Sequence, residues 1–167
     1  MARRAFGIFA AADGPVPGAG STKRASSARV ARIWVPRHQV SLIVLAGAHG
    51  RSLPFGPGHV DGTAYPGEHG HSVVAAHRDT HFAFLKDVRI GDRIEVQRPG
   101  AMETGYVVVE KVVLDVRKQD IVIDPGADLL TLVTCYPFTE WNPGGPLRYV
   151  VTAVAVHDSP SGGASPI

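Results

Sequence analysis

The chain has 167 residues, with 17 Lys+Arg against 15 Asp+Glu and a single cysteine. An apolar fraction of 44% and a charged fraction of 19% belong to one ordinary globular domain and exclude a disordered chain, a collagen or a coiled coil. A net charge of +2 is too small to argue for nucleic acid by bulk electrostatics, and a lone thiol, Cys135, forbids an internal disulfide or a cysteine-rich metal site.

The chain opens Met-Ala-Arg-Arg, followed by an apolar run from Ala5 to Ala12 that Asp13, Gly14 and Pro15 cut off. Basic then apolar is how an export signal begins, but this run is at the bottom of the size range, so a loose start is expected instead. No stretch reaches the ~18–20 apolar residues needed to span a bilayer. Residues 1–28 read as a flexible segment ending in a Gly/Pro/Ser linker, residues 29–158 as one domain, and residues 159–167 as a flexible tail.

Within the domain, strands are expected at Val30 to Val35, stopped by Pro36, and at Gln39 to Leu45. Gly47 to Gly70 reads as a long loop full of Gly and Pro, followed by a buried strand, Ser72 to His77. Phe82, Phe84, Leu85 and Val88 fit one or two helical turns. Gly91-Asp92 turns into a strand from Arg93 to Gln97, and Gly105 to Val116 is strongly β-branched. Leu129 to Cys135 and Arg148 to His157 complete the set. Short β-branched runs bounded by turn residues predict a mainly all-β fold, a mostly antiparallel barrel or sandwich.

Three residues at strand ends could do chemistry. Cys135 ends an apolar strand where Tyr136-Pro137 stops it, which puts the thiol at a rim. His77 likewise ends an apolar run, just before the polar Arg78-Asp79-Thr80. Arg148 opens the strand that follows Cys135, after Pro143, Gly144, Gly145 and Pro146. If those two strands form a hairpin, Arg148 returns opposite Cys135. Each has a plain reading when taken alone: an inert packed thiol, a histidine satisfied by local backbone, a solvated strand-end arginine. As a rim residue, Arg148 is expected to bury little.

Together the three carry a resemblance. Thr131-Leu132-Val133-Thr134-Cys135 resembles the TLxTC nucleophile motif of the sortases, the cysteine transpeptidases that join proteins to cell-surface amines. Ala75-Ala76-His77-Arg78-Asp79-Thr80-His81-Phe82 resembles their GHRDTHF-type histidine motif, with Ala76 where relatives usually carry glycine. Gly145-Pro146-Leu147-Arg148-Tyr149-Val150-Val151 resembles the strand that bears their arginine. The order matches, the likeness runs from about Ala31 to about His157, and the spelling after Cys135 and before Arg148 is most like the class D/E branch and its proteobacterial relatives.

The resemblance implies an eight-stranded β-barrel with short helices. It implies Cys135 as nucleophile, His77 as general acid and then base, and Arg148 as the group that binds the substrate backbone and the oxyanion. Thr134 is implied as a neighbour that orients substrate or helps the oxyanion site. The implied partners are a protein with a C-terminal sorting signal of the LPxTG type and an amine acceptor, with no nucleic acid and the enzyme a monomer. The implied location is extracytoplasmic, membrane-associated or periplasmic, although sortases usually carry an N-terminal membrane helix and no anchor is visible here. Two other readings use the same residues: a sorting-peptide hydrolase, and a non-catalytic barrel that binds peptides.

A metal enzyme is the rival outside this chemistry. His59, His69, His71, His77 and His81 are dense, but Pro66, Gly67 and Gly70 break the first part and Arg78 stands where an HExxH glutamate would be. Some sortases bind calcium through acidic loop residues, whereas Asp115, Asp120, Asp124 and Asp128 read here as solvated turn aspartates. No cofactor is expected, with calcium dependence left open.

Overall fold

The computed structural model describes residues 4–6, 28–48, 55–139 and 145–156. Its strands are β1 (Arg4–Phe6), β2 (Arg29–Val35), β3 (Val40–Ala46), β4 (Gly58–His59), β5 (His71–Ala75), β6 (Arg93–Gln97), β7 (Thr104–Asp115), β8 (Ile121–Ile123), β9 (Leu129–Cys135) and β10 (Leu147–Val156). Eight of them close into a barrel in the order β10-β7-β6-β2-β3-β4-β5-β9, with β10 returning to pair with β9. The expected eight-stranded barrel is therefore present. The expected helical turns appear as a short 3-10 segment at Ala83–Asp87, and a second 3-10 segment, at Pro36–His38, was not expected.

Two strands inside stretches expected to be loops change the picture. β4 lies within the Gly/Pro-rich 47–70 stretch and bridges β3 to β5, pairing parallel with one and antiparallel with the other. Its Gly58 is required by close approach, because a Cβ there would stand 2.7 Å from the Ala48 Cα. β8 stands outside the barrel and pairs antiparallel with the backbone of β1, through Arg4↔Ile123 to Phe6↔Ile121. Of the linker expected over residues 13–28 all but residue 28, and the whole tail over 159–167, lie outside the described residues.

β5 and β9 pair in parallel, the one long departure from the antiparallel plan. Parallel strands are covered on both faces, so they read as continuous apolar runs rather than alternations. The burial of every residue in β5 and of the five central residues of β9 follows from this. One face of each strand looks into the barrel, where Val74, Ala76, Leu130, Leu132, Val151 and Ala153 join the main core with Phe82, Leu85, Ile94 and Tyr106. The other face looks outward. There Val73, Ala75, Val133 and Val150 form a second core beneath Ile121 and Ile123 of β8, with Val60 beside them. Burying each β8 isoleucine, only 5% and 4% exposed, contributes about 1.5–3 kcal/mol toward holding a strand that no barrel ladder holds.

The outer core is closed at its far end by a buried histidine. His71 is 4% exposed. Its Nδ1 accepts the backbone N–H of Asp124 at 3.1 Å. The N–H of Asp124 can only donate, so Nδ1 is unprotonated and Nε2 carries the hydrogen toward Thr131 Oγ1, 2.8 Å away. Thr131 Oγ1 in turn lies 3.4 Å from Thr152 Oγ1. Burial pushes the imidazole below its ordinary value of 6.5 and outweighs the opposing pull of the Asp124 carboxylate, so the folded chain holds His71 neutral.

In the unfolded chain the same ring takes up a proton near its ordinary value, so the unfolded state binds more protons below pH 6.5. This contribution to stability is full above pH 6.5 and falls as the solution is acidified through it. Thermal melts between pH 7.5 and pH 5 should show a falling Tm, and His71→Asn, which cannot titrate, should remove part of that slope.

Candidate active site

Cys135 and Arg148 lie at one end of the outer face of β9 and β10, and His77 stands two residues past the end of β5. In the β9–β10 hairpin, Cys135 and Arg148 are directly opposed, as the hairpin geometry requires. Directly opposed residues of an antiparallel pair project to the same face. The ladder continues past them, with the Tyr136 N–H donating to the Leu147 carbonyl at 3.0 Å. In the parallel β5–β9 ladder, Ala75 pairs with Val133, and the Ala76 N–H donates to the Val133 carbonyl at 3.2 Å. β5 ends there, and His77 follows Ala75 by two residues as Cys135 follows Val133.

The outer face therefore reads as three rungs. Val73, Thr131 and Thr152 form one, Ala75, Val133 and Val150 the next, and Cys135 with Arg148 the last, with His77 just past the end of β5. The site is the polar end of an apolar face that β8 covers. Period 2 places Cys135 there after Thr131 and Val133, and Arg148 lies opposite it.

Exposure differs sharply among the three. His77 is exposed and Cys135 half-buried, a free thiol within reach of a ligand. Arg148 is only 7% exposed, which overturns the expectation that a rim arginine buries little. Its Nη1 donates to the Gly145 carbonyl at 2.6 Å and to the Leu147 carbonyl at 2.9 Å. These carbonyls of the incoming loop let the guanidinium lie under the chain and hold it near the strand. The side chain was expected at the surface because sequence spacing does not show which carbonyls a loop will present.

Thr134 points the other way. It is 2% exposed, and its hydroxyl donates to the Ala76 carbonyl at 2.7 Å. This bond ties the residue before the thiol to the residue before the histidine. Asp115 ends β7 opposite Leu147, one position from Arg148. Its carboxylate is taken by Arg117, which meets it through Nε at 3.0 Å and Nη2 at 2.8 Å, while the Arg117 backbone N–H also donates to it at 3.0 Å. These bonds lower its pKa to about 2, so Asp115 stays ionised and committed to its own turn.

The remaining histidines and aspartates of the sequence disperse. His59 Nε2 donates to the Ala64 carbonyl at 2.9 Å, and its ring stacks on Tyr65. His69 lies 2.6 Å from Asp128, whose carboxylate also receives the Gly70 N–H. His81 lies 3.4 Å from Thr80. The Asp124 carboxylate caps the Gly126 N–H. Among the described residues no three His, Cys, Asp or Glu side chains gather as metal ligands, and no helix is long and apolar enough to cross a membrane.

Sequence reasoning missed three neighbours of the site. One is the β8 strap with Ile121 and Ile123, whose only signal was the β-branched Ile121-Val122-Ile123 between two aspartates. The second is His71, which shares the two-residue period of Val73, Ala75 and His77. The third is an aromatic trio just past the thiol, with the Tyr136, Phe138 and Tyr149 rings 5.3 to 6.2 Å apart.

Residues 33–156 match the family model of the sortase domain. The chain is similar to sortase D of Bacillus subtilis (strain 168), at 29% identity over 117 residues, which is 70% of this chain and 59% of that protein's length. Among solved structures it is similar to sortase A from Corynebacterium diphtheriae, with a TM-score of 0.68 and 29% identity over 83% of this chain and 65% of that one. It is also similar to sortase C-1 from Actinomyces oris, with a TM-score of 0.64 and 32% identity over 78% and 76% of the two chains. The barrel, the matched domain and these relatives agree with the three motifs: the chain belongs to the sortase family.

Proposed function

We propose that this chain is a cysteine transpeptidase that cleaves a C-terminal sorting signal of the LPxTG type and transfers the protein to an amine. The observation that carries the reading is the last rung, with Arg148 paired to Cys135, and the parallel β5–β9 ladder that ends two residues short of His77 on one strand and of Cys135 on the other. The Cys135 thiolate attacks the scissile carbonyl carbon, a C–S bond forms, and the C–N bond breaks as His77 protonates the departing amine. The incoming amine then gives its proton to His77, attacks the thioester carbonyl and displaces Cys135. Arg148 offers planar N–H donors to the substrate backbone and to the oxyanion of each tetrahedral intermediate. Its burial supports that role, because a donor shielded from water acts more strongly on developing charge. Thr134 acts through the backbone: its bond to the Ala76 carbonyl fixes how far His77 stands from Cys135.

The direct test is turnover of a sorting-type peptide with and without an amine acceptor, with mass spectrometry of Cys135 to trap the thioester. Cys135→Ala should abolish cleavage. His77→Ala should lose at least ~10²-fold in rate, in the range for a missing acid–base group. His81→Ala, in the turn that follows, should be far milder. A dead His81→Ala beside an active His77→Ala would reverse the histidine assignment.

Arg148→Lys should lower kcat/KM by ~10²-fold, comparable to loss of an oxyanion donor. An ammonium can still reach the Gly145 and Leu147 carbonyls, so the melt should stay cooperative; near-wild-type kinetics would remove the arginine from the mechanism.

Thr134→Val keeps the shape and leaves the buried Ala76 carbonyl without its side-chain donor, a loss of about 1–3 kcal/mol that a denaturant melt reads directly. It should also slow turnover more than it weakens peptide binding, because it disturbs the spacing of the rung.

A further inference from the structure

β8 is a strap without a ladder to the barrel. Its backbone pairs with Arg4–Phe6, and its inward side chains Ile121 and Ile123 rest on Ala75, Val133 and Val150, one rung from the candidate catalytic residues. Side-chain packing alone lets such a strand slide, because apolar contact is not directional. One directional bond from the barrel meets the strap's end. The Asp124 N–H, next after Ile123, donates to His71 Nδ1 at 3.1 Å. His71 is itself fixed in β5 by its Nε2 hydrogen bond to Thr131 of β9. The carbonyl and carboxylate of Asp124 are engaged in the following turn, with the Ala127 and Gly126 N–H groups, so its N–H is the group through which this residue meets the barrel.

We propose that His71 is a positioning residue for the peptide substrate, with its Nδ1 clamping the Ile121–Asp124 strap onto the β5–β9–β10 face. The clamp sets where the strap's wall stands beside the last rung, and so governs how an extended peptide is held on its way to Cys135. This rests on the transpeptidase reading above. His71 lies three rungs from the thiol, on the wrong side of the apolar rung to touch reacting atoms.

The two imidazole nitrogens can be mimicked separately. In His71→Asn the amide oxygen comes near the place of Nδ1 and can accept the Asp124 N–H, but the side chain does not reach Thr131. In His71→Gln the longer amide reaches Thr131, and the acceptor for Asp124 is lost. With a cleaved sorting-type peptide and the full chain, His71→Gln should raise KM about tenfold, the scale of one buried hydrogen bond, with kcat within about twofold. His71→Asn should bring KM back to within about threefold of wild type. Amide exchange should report the same order, with the Asp124 N–H protected in wild type and His71→Asn and exposed in His71→Gln, while β9 amides stay protected in all three. Should neither variant fold, nitrogen chemical shifts of the wild-type ring decide, since the clamp requires hydrogen on Nε2 and none on Nδ1. An unchanged KM with a protected Asp124 amide in His71→Gln would overturn the proposal. So would equal losses of kcat in both variants, or hydrogen on Nδ1 in the wild type. If the wild type turns over no sorting peptide, the transpeptidase reading fails, and ring tautomer and Asp124 exchange still decide the clamp.

Discussion

Everything at the candidate site depends on the register of three strands. β9 is held on one side by the parallel ladder to β5 and on the other by the antiparallel ladder to β10. A slip of one residue in β9 would send Thr134 outward and Cys135 into the barrel, because successive side chains alternate faces. Burial on both faces makes that slip costly. Leu130 and Leu132 would leave the main core as Val133 left the outer one. The Thr134 hydroxyl on the Ala76 carbonyl adds a directional lock at the end where alignment matters most. The packing that stabilises the barrel thus also aligns the site.

The same arrangement explains why polar residues survive beside so much apolar surface. The two ends of the outer face are polar in different ways. At one end His71, Thr131 and Thr152 satisfy one another and the strap backbone, and are buried or half-buried. At the other, His77 is open to solvent, Cys135 is half-buried, and Arg148 is buried against carbonyls of its own loop. Between them the rung of Ala75, Val133 and Val150 is dry. A buried polar network is tolerated only when its donors and acceptors are matched, and at the closed end they are.

Much of this was legible in the sequence because the strong signals are local. β9 was readable to the residue, since Leu129 to Cys135 is bounded by turn residues on both sides. The opposition of Cys135 and Arg148 followed from hairpin geometry. His77 was harder, because nothing local says that its strand runs parallel to β9; the motif resemblance supplied that neighbour. β4 and β8 were not legible. They are two and three residues long, and each is a strand only because a distant partner lies beside it. His71 looked like one of several clustered histidines. Its role depends on the N–H of Asp124, and backbone groups carry no sequence signal. The burial of Arg148 was missed for the same reason.

The parallel β5–β9 pairing also has a consequence for how the chain acquires its reactivity. Cys135 and Arg148 meet across a single hairpin, a local closure that costs little chain entropy. The segment that leads to His77 is joined to the strand of Cys135 across 58 residues, the separation of Ala76 and Thr134, and contacts of that span form late and slowly. A partly folded chain can therefore carry Cys135 and Arg148 side by side while His77 is still distant. Under the proposed transpeptidase reading, competence then arrives only with closure of the barrel, so an unfinished molecule would have a thiol but no means of driving acyl transfer on the polypeptides around it.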